Sequence, residues 1–341
     1  MTLWNDIIGH DWAVSMLSSA LELNRLVHAY LISGLSQVGK TTLALTFAQA
    51  LNCQAPSLSD RPCGRCRACL LIGAGKHPDV IAIEGELGSR GKRALKIGQL
   101  REIQQALSLT TTEGRYKVAL INGFNDANPN AANAFLKTLE EPPNYAVIVL
   151  TAVDPDLLLP TIRSRCQQVA LRPVPAVVIQ KALADRWDVE PGQARMLAHL
   201  ADGRIGWAIQ AVDEPKLLED RTERLATLHS ALTLNRVGRF DLASRISKNP
   251  EELLALLRTW LVWWRDLVLF LFGGAQEAIT VNLDERERLH RLSFEWKEAE
   301  IIQSLRQTDE AIWQLGRNAN TRLVVENLML VYPYDRSGVK G

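Results

Sequence analysis

The sequence has almost no net charge, and this limits how it could bind nucleic acid. Its 341 residues include 39 Lys and Arg against 38 Asp and Glu, for a formal net charge of +1. Such a chain does not attract phosphate over its whole surface, so any DNA contact must come from a local basic patch. Its length predicts two or three domains, and 47% hydrophobic residues are typical of a soluble globular protein.

The sequence also lacks the marks of an exported or membrane-bound protein. Its first six residues have no basic start followed by an apolar run, so no signal peptide is predicted. The most apolar stretch, residues 253–272, contains Arg258, Arg265 and Asp266, which are costly at the centre of a bilayer. This stretch is predicted to be a buried helix, and the protein is expected to be cytoplasmic.

Short apolar runs alternate with helical patterns in residues 1–172. Because strand–helix alternation produces a parallel sheet covered by helices, this region predicts an α/β domain. The run 131–140 shows the helical period best, and Pro142-Pro143 ends it. Strands are predicted at residues 28–33, 117–121, 146–151 and 167–171, and a further helix at 41–51.

The remainder of the chain has helical character. Pro173 and Pro175 mark a hinge before a small helical unit at residues 173–212, and residues 213–341 show helical periodicity with no convincing strand. Aromatic residues at helical spacing indicate a core or a subunit interface. Five of the nine tryptophans lie in this last region: Trp260, Trp263, Trp264, Trp296 and Trp313.

Residues 34–41, G-L-S-Q-V-G-K-T, fit the phosphate-loop pattern G-x-x-x-x-G-K-[ST] in full. Glycines let the backbone N–H groups point at phosphate oxygens, and the following helix presents its positive end to the same anion. Lys40 is expected to reach the outer phosphates and Thr41 to hold Mg²⁺. The candidate nucleotide-binding residues are Gly34, Gly39, Lys40, Thr41 and Thr42.

The acids needed for hydrolysis are missing. A site of this type requires an acid at the end of a neighbouring strand to hold Mg²⁺, and usually a second carboxylate beside the attacking water. The candidate strand ends in Asn122-Gly123, which can supply neither. Asp126 is expected to be displaced into the following loop. The site could therefore bind ATP or ADP with Mg²⁺ and is expected to hydrolyse ATP poorly or not at all.

Four cysteines, Cys53, Cys63, Cys66 and Cys69, follow the phosphate-loop helix with the spacing C-x9-C-x2-C-x2-C. Four thiolates suit a closed, structural tetrahedral Zn²⁺ site. An iron–sulfur cluster is the main alternative, although the expected downstream C-P pair is absent, and free or disulfide-bonded thiols are a third. Cys166 stands apart and is expected to pack in the fold.

Four other segments carry short motifs: Ile8-Gly9-His10, residues 132–143 (A-N-A-F-L-K-T-L-E-E-P-P), Ser164-Arg165-Cys166 and residues 318–323 (N-A-N-T-R-L). Together with the phosphate loop and the cysteines, they resemble the clamp-loader branch of the AAA+ ATPases, specifically the subunits of bacterial DNA polymerase III. The resemblance runs nearly end to end. It implies an AAA+ domain at residues 1–172 with a zinc module at 53–69, a helical lid at 173–212, and a helical oligomerisation collar at 213–341.

Two departures indicate which kind of subunit this chain resembles. Motor subunits of the gamma/tau type carry Asp-Glu where this chain has Asn122-Gly123. They also carry a sensor arginine where this chain has Gly206, with Arg204 nearby but out of register. A chain lacking both looks like the delta-prime type, which assists a neighbour's ATP hydrolysis, although an intact phosphate loop is unusual for the best-known delta-prime proteins.

The resemblance implies a five-subunit spiral that opens a ring-shaped clamp and closes it around primed DNA. The implied partners are gamma/tau and delta subunits, the sliding clamp and primer–template DNA. Arg165 would then project into a neighbour's ATP site and stabilise charge on the γ-phosphate. The alternative for Arg165 is a solvated loop arginine, as Arg163 could be.

Five basic residues without an intervening acid form a further candidate surface: Arg90, Lys92, Arg93, Lys96 and Arg101. They could contact DNA phosphates without reading sequence, or they could belong to a solvated loop. Two other functions stay open for the whole chain. One is a hydrolysing motor subunit, and the other is a zinc-bearing scaffold with a vestigial phosphate loop.

Overall fold

The computed structural model describes residues 3–87, 93–273, 280–317 and 319–335. The chain divides into two compact units. The first comprises Met1–Ala182 with Gly203–Trp207, and the second comprises Leu183–Asp202 with Ala208–Gly341. The division into three domains at residues 172 and 212 stays a prediction.

The first unit is built on a five-stranded parallel sheet in the order β2-β5-β6-β1-β7. A two-stranded antiparallel ribbon, β3 and β4, follows β2 in the chain. The parallel sheet is as predicted, except that the sequence does not predict β2, a short edge strand that is only partly buried. The strands are β1 (Ala29–Ser33), β2 (Val80–Glu84), β3 (Glu86–Leu87), β4 (Arg93–Ala94), β5 (Lys117–Asn122), β6 (Ala146–Ala152) and β7 (Gln167–Ala170).

Helices cover this sheet. The inner strands β1, β5 and β6 are apolar and buried almost throughout, as expected for a sheet covered on both faces. Phe135 and Leu139, on the predicted face of α5, pack into the core beside the sheet, and Asn128 caps that helix by accepting the Ala131 N–H. The helices are α1 (Asp11–Glu22), α2 (Lys40–Asn52), α3 (Arg67–Gly73), α4 (Ile97–Ser108), α5 (Pro129–Glu140) and α6 (Pro160–Arg163).

The rest of the described chain is helical, which confirms the predicted class of a parallel-sheet region followed by helices. Trp260, Trp263 and Trp264 on α12 are fully buried in the core of the second unit. Among the described helices, none is long and apolar enough to cross a membrane. The helices are α7 (Ala176–Trp187), α8 (Pro191–Leu200), α9 (Ile205–Asp213), α10 (Lys216–Thr233), α11 (Arg236–Ile246), α12 (Pro250–Leu271), α13 (Arg286–Glu295), α14 (Glu298–Gly316) and α15 (Thr321–Val331).

Candidate functional site

The phosphate loop connects β1 to the start of α2. Gly34 and Gly39 have φ angles of 144° and 111°, which L side chains rarely adopt. A Cβ at Gly34 would also lie 2.5 Å from the carbonyl oxygen of Leu171, so any larger residue at position 34 would clash with the backbone that follows β7. His10 Nε2 lies 2.9 Å from the Val38 oxygen, so the Ile8-Gly9-His10 segment contacts the same loop.

Lys40 lies over the loop that precedes it. Its Nζ donates to the carbonyl oxygens of Gly34 and Leu35, each at 2.7 Å. Burial lowers the pKa of Lys40 to about 8. A phosphate at this position would stabilise the charged ammonium, so an anionic ligand and a protonated Lys40 favour each other.

Thr41 reaches toward the end of β5. Its Oγ1 lies 3.3 Å from Asn122 Oδ1, which places the predicted magnesium-holding hydroxyl beside the residue that replaces the expected acid. An amide oxygen is a neutral ligand and attracts a divalent cation less than a carboxylate does. Thr42, in the first turn of α2, accepts a hydrogen bond from Thr46 Oγ1 at its carbonyl oxygen.

Gly123 leaves no room for a side chain. Its φ is +68°, and a Cβ there would lie 2.9 Å from Asp126 Oδ2. The 3₁₀ turn Phe124–Asp126 folds back, with the Asp126 N–H donating to the Gly123 oxygen. The Asp126 carboxylate therefore returns beside Gly123 although it lies three positions further along the chain. Burial raises the pKa of Asp126, and the nearby charge of Arg93 opposes that shift.

Gly206, which the resemblance matches to the sensor arginine, makes a backbone contact with the phosphate loop. The Gly206 N–H donates to the Gln37 oxygen at 2.8 Å, and a Cβ at Gly206 would lie 2.9 Å from that oxygen. Arg204 instead lies against the Trp207 ring, 5.8 Å from its centroid. The 203–207 segment thus contacts the phosphate loop at close range through glycine.

The four predicted metal ligands converge. The Sγ atoms of Cys53, Cys63, Cys66 and Cys69 all lie within 4.8 Å of one another, and those of Cys53 and Cys66 are 4.0 Å apart. Zn–S bonds of about 2.3 Å in a tetrahedron require sulfur–sulfur separations of roughly 3.8 Å, so the arrangement fits Zn²⁺ with small adjustment. The four thiols are not joined as disulfides.

Backbone amides surround these thiols as they do in thiolate metal sites. The N–H groups of Ala55 and Cys63 lie 3.4 and 3.3 Å from Cys53 Sγ. The N–H groups of Cys66 and Cys69 each lie 3.4 Å from the preceding ligand's sulfur. Because such donors stabilise thiolates, they favour a bound cation. Cys166 lies elsewhere, and burial raises its pKa to about 12, which suits a packing role.

Arg165 follows α6 at the opposite edge of the sheet from the phosphate loop, where the strands begin. Its guanidinium donates to Glu140 Oε1 at 2.6 Å and to the Thr161 oxygen at 2.8 Å, and a third of the side chain remains exposed. Arg163 instead pairs with Asp156. The sequence analysis identified Arg165 but not its partner Glu140. The signal that could have identified Glu140 was its place in the 132–143 motif.

A cavity of about 740 Å³ opens beside Arg165 at the amino ends of β1, β6 and β7. Its lining is largely polar and includes Ser164, Arg165, His28 and Tyr116. The Nε2 atom of His28 is buried and has no hydrogen-bond partner among the described residues. Space for another group therefore exists next to the guanidinium.

Two other predicted motifs are only partly described. Arg90 and Lys92 of the basic cluster and Asn318 of the 318–323 motif lie outside the described residues. Arg93 pairs with Glu84, and Lys96 Nζ lies 2.6 Å from Glu86 Oε2, so part of the cluster's charge is neutralised locally. Asn320 caps α15, where its Oδ1 accepts the Leu323 N–H, and Arg322 pairs with Glu326 on the same helix.

Comparison with known proteins identifies the relatives of this chain. Residues 9–175 match the family described as DNA polymerase III, delta subunit. The chain is 28% identical to subunit delta′ of Bacillus subtilis DNA polymerase III over 93% of its own length and 94% of the relative's. It is 35% identical to subunit tau/gamma of Haemophilus influenzae over 63% of its length, spanning only 31% of that longer protein.

Among solved structures, a DNA polymerase III gamma-subunit-related protein from Thermotoga maritima matches 92% of this chain and 97% of its own, with 22% identity and a TM-score of 0.43. The family match and the curated relatives agree with one another in naming subunits of the same polymerase. The chain is therefore similar to subunits of DNA polymerase III, and these relatives support a clamp-loader subunit.

Proposed function

We propose that this chain is a delta-prime-like clamp-loader subunit that helps place the sliding clamp on primed DNA. In this function Arg165 acts in trans on the ATP site of a neighbouring gamma/tau-type subunit, while the chain's own site contributes little hydrolysis. The observation that carries the proposal is the contrast between a complete phosphate loop facing Asn122-Gly123 and an arginine with a third of its side chain exposed at the other edge of the sheet.

Three features of Arg165 support its proposed action as an arginine finger. Its guanidinium is held at two points, by Glu140 and by the Thr161 carbonyl, so little conformational entropy remains to be lost on meeting a phosphate. The exposed third of the side chain and the adjoining cavity leave it approachable. A finger of this kind is typically worth about 10³-fold or more in turnover.

The chain's own site supports binding better than hydrolysis. Lys40 and Thr41 are positioned for phosphates and Mg²⁺, so ATP or ADP could be held. Asn122 can neither carry the charge that fixes Mg²⁺ nor act as a base, and Gly123 has no side chain. Asp126 lies beside Gly123 and interacts with Asn125 and Arg93, which favours a local structural role.

The other parts follow from the same proposal. Zn²⁺ at the four cysteines would be structural, because four thiolates leave no coordination position open. The region 173–212 would be the lid, and 213–341 the collar of a hetero-oligomer with gamma/tau and delta subunits. The complex would contact the sliding clamp and primer–template DNA in the cytoplasm, where the chromosome is copied.

The test is reconstitution with motor, delta and clamp subunits, followed by clamp-loading assays of an Arg165→Ala variant. Clamp loading and clamp-stimulated ATP turnover should fall, while assembly measured by gel filtration should not change. Arg163→Ala, which removes a neighbouring arginine paired with Asp156, is the matched control and should retain activity. Equal activity of the two variants would contradict the assignment of Arg165.

One observation keeps the motor function as a second candidate, namely the complete loop with Lys40 and Thr41 in place. Under that alternative the purified chain alone would turn over ATP, and Lys40→Ala would abolish the activity. A scaffold with a vestigial loop would show no Mg²⁺-dependent nucleotide binding at all. Binding without turnover supports the delta-prime-like function.

A further inference from the structure

The phosphate loop is held from outside by hydrogen bonds to its carbonyl oxygens. In a loop that binds phosphate the N–H groups face the anion, so the carbonyl oxygens turn away and need other donors. The oxygen of Gln37 accepts the Gly206 N–H at 2.8 Å. The next oxygen, that of Val38, lies 2.9 Å from His10 Nε2. Two successive carbonyls of the loop are therefore fixed by segments that lie elsewhere in the sequence.

Gln37 has a backbone conformation that requires support. Its φ is +61°, in the left-handed region that residues other than glycine, asparagine and aspartate seldom adopt. A residue in such a conformation persists only where its surroundings hold it there. The hydrogen bond from Gly206 acts on the carbonyl of Gln37 itself and is a contact of this kind.

Gly206 can make the contact because of its place in α9 and its lack of a side chain. It is the second residue of that helix, where a backbone N–H has no partner within the helix. A Cβ at Gly206 would lie 2.9 Å from the Gln37 oxygen and 3.3 Å from the Gln37 Cβ. Even alanine would therefore push the start of α9 and the loop apart, and so would the arginine that motor subunits carry at this position.

The segment that carries Gly206 is itself fixed. The carbonyl oxygen of Gly203 accepts the Val174 N–H at 3.0 Å. Gly203 has a φ of +78°, and a Cβ there would lie 2.4 Å from Pro173 Cβ. Residues 203–207 belong to the same compact unit as the phosphate loop. The donor that reaches Gln37 therefore comes from a firmly packed segment.

We propose that Gly206 is a positioning residue of the nucleotide site, and that it holds the phosphate loop in its binding conformation before nucleotide arrives. The inference rests on the nucleotide binding proposed above and explains why a glycine stands at position 206. Gly206 acts through Gln37 and does not touch the nucleotide. Because a preformed loop raises the fraction of chains that are ready to bind, its loss slows association and leaves dissociation nearly unchanged.

The experiment measures the binding kinetics of a fluorescent ADP analogue with Mg²⁺ to the full purified chain, for the parent and for Gly206→Ala. Gly98→Ala is the matched control, because Gly98 is likewise the second residue of a helix, α4, and a Cβ there would meet no atom within 4 Å. Alanine is favoured over glycine in helices, so both variants should fold. Thermal melting without nucleotide gives the stability of each.

Gly206→Ala should lower the association rate constant by about tenfold and change the dissociation rate constant by less than about twofold. Gly98→Ala should match the parent in both. An unchanged association rate in Gly206→Ala, whatever its melting temperature, or an equal fall in Gly98→Ala would overturn the proposal. A loss of affinity that arises from faster dissociation would also overturn it, since Gly206 would then act on the bound nucleotide.

Gly206→Arg separates this function from the simple absence of a sensor arginine. If the glycine holds the loop, arginine should slow ADP association at least as much as alanine does, and ATP turnover should stay at the level of the parent. Faster association or faster turnover would show that position 206 only lacks an arginine, which contradicts the proposal.

Two substitutions at Gln37 test the same point if Gly206→Ala does not fold. Gln37→Asn and Gln37→Val both remove the native side chain, but asparagine tolerates the left-handed conformation and valine does not. Association should therefore be slower with valine than with asparagine, and equal rates would refute the inference. A parent chain that binds no ADP would refute the proposed nucleotide binding as well, whereas equal binding by the parent and all variants would refute this inference alone.

Discussion

The two edges of the parallel sheet carry different parts of the site that we propose. At the carboxyl ends of the strands lie the phosphate loop and Thr41, facing Asn122 where an acid is needed. At the amino ends, Arg165 is held by Glu140 next to an open cavity. One edge has a phosphate loop that faces an amide side chain, and the other has a partly exposed arginine beside a cavity. This contrast is what we expect if each edge contributes to an ATP site shared between subunits, as proposed above.

The largest expected effect is the loss of nucleotide affinity when the Lys40 ammonium beside the phosphate loop loses its proton. Burial lowers the pKa of Lys40 to about 8, and a bound phosphate would raise it. Nucleotide affinity should therefore be constant well below pH 8 and fall by up to about tenfold per pH unit above it. Calorimetric or fluorescence titration of the purified chain with ADP and Mg²⁺ between pH 6 and 10 measures this.

Lys40→Arg is the control for that titration, because a guanidinium stays charged throughout the range. If this variant binds, its affinity should not decline above pH 8. An affinity of the parent that is flat to pH 10 would contradict the view that the Lys40 charge holds the phosphates.

Removing the Glu140 charge that holds Arg165 should have an intermediate effect, on ATP turnover. Glu140→Gln keeps a hydrogen-bonding oxygen but removes the charge that fixes the guanidinium, so clamp-stimulated turnover of the assembled complex should fall by about 10- to 100-fold at the site it serves. The fall should appear in kcat, with KM for ATP unchanged, because nucleotide binds to the neighbour's own loop.

Glu141→Gln is matched to that change, since it removes the same charge one residue further along, from an exposed side chain. It should leave turnover unchanged. A similar fall in both variants would show that the overall charge of this surface, and not the Glu140–Arg165 pair, sets the rate.

Restoring the missing acids should have the smallest effect. In a chain carrying both Asn122→Asp and Gly123→Glu, ATP turnover by the isolated protein should stay at the background of the parent. The φ of +68° at position 123 disfavours a side chain, and Asp126 Oδ2 occupies the adjacent space. Phosphate release assays measure this, and a hydrolysis rate typical of motor subunits would show that the acids alone were lacking.

The sequence predicted what local spacing encodes. The phosphate loop and the cysteines were found because their chemistry requires particular residues at fixed separations, and the cysteines do converge. Contacts between residues that are distant in the sequence could not be predicted from spacing. Glu140 and Arg165 are 25 positions apart, and the Gly206 contact joins the phosphate loop to a segment far along the chain.

Backbone geometry accounts for two other differences. Asp126 was expected to be displaced into the following loop, and it does lie in the 3₁₀ turn after β5, but the left-handed Gly123 lets that turn bring its carboxylate back beside position 123. The edge strand β2 contains the apolar run Val80–Ile83, but its side chains are only partly buried, and its pairing with β5 cannot be read from this run alone. Such features depend on individual dihedral angles and pairing partners, which hydrophobic periodicity does not encode.

The most direct measurement compares Lys40→Ala and Arg165→Ala in the same reconstituted clamp loader, by single-turnover hydrolysis of ATP in the presence of clamp and primed DNA. If Arg165 acts on a neighbour's ATP site and the chain's own site contributes little hydrolysis, Lys40→Ala should leave the hydrolysis phase intact. Arg165→Ala should remove the contribution of one neighbouring site. Loss of hydrolysis with Lys40→Ala and normal hydrolysis with Arg165→Ala would contradict this account.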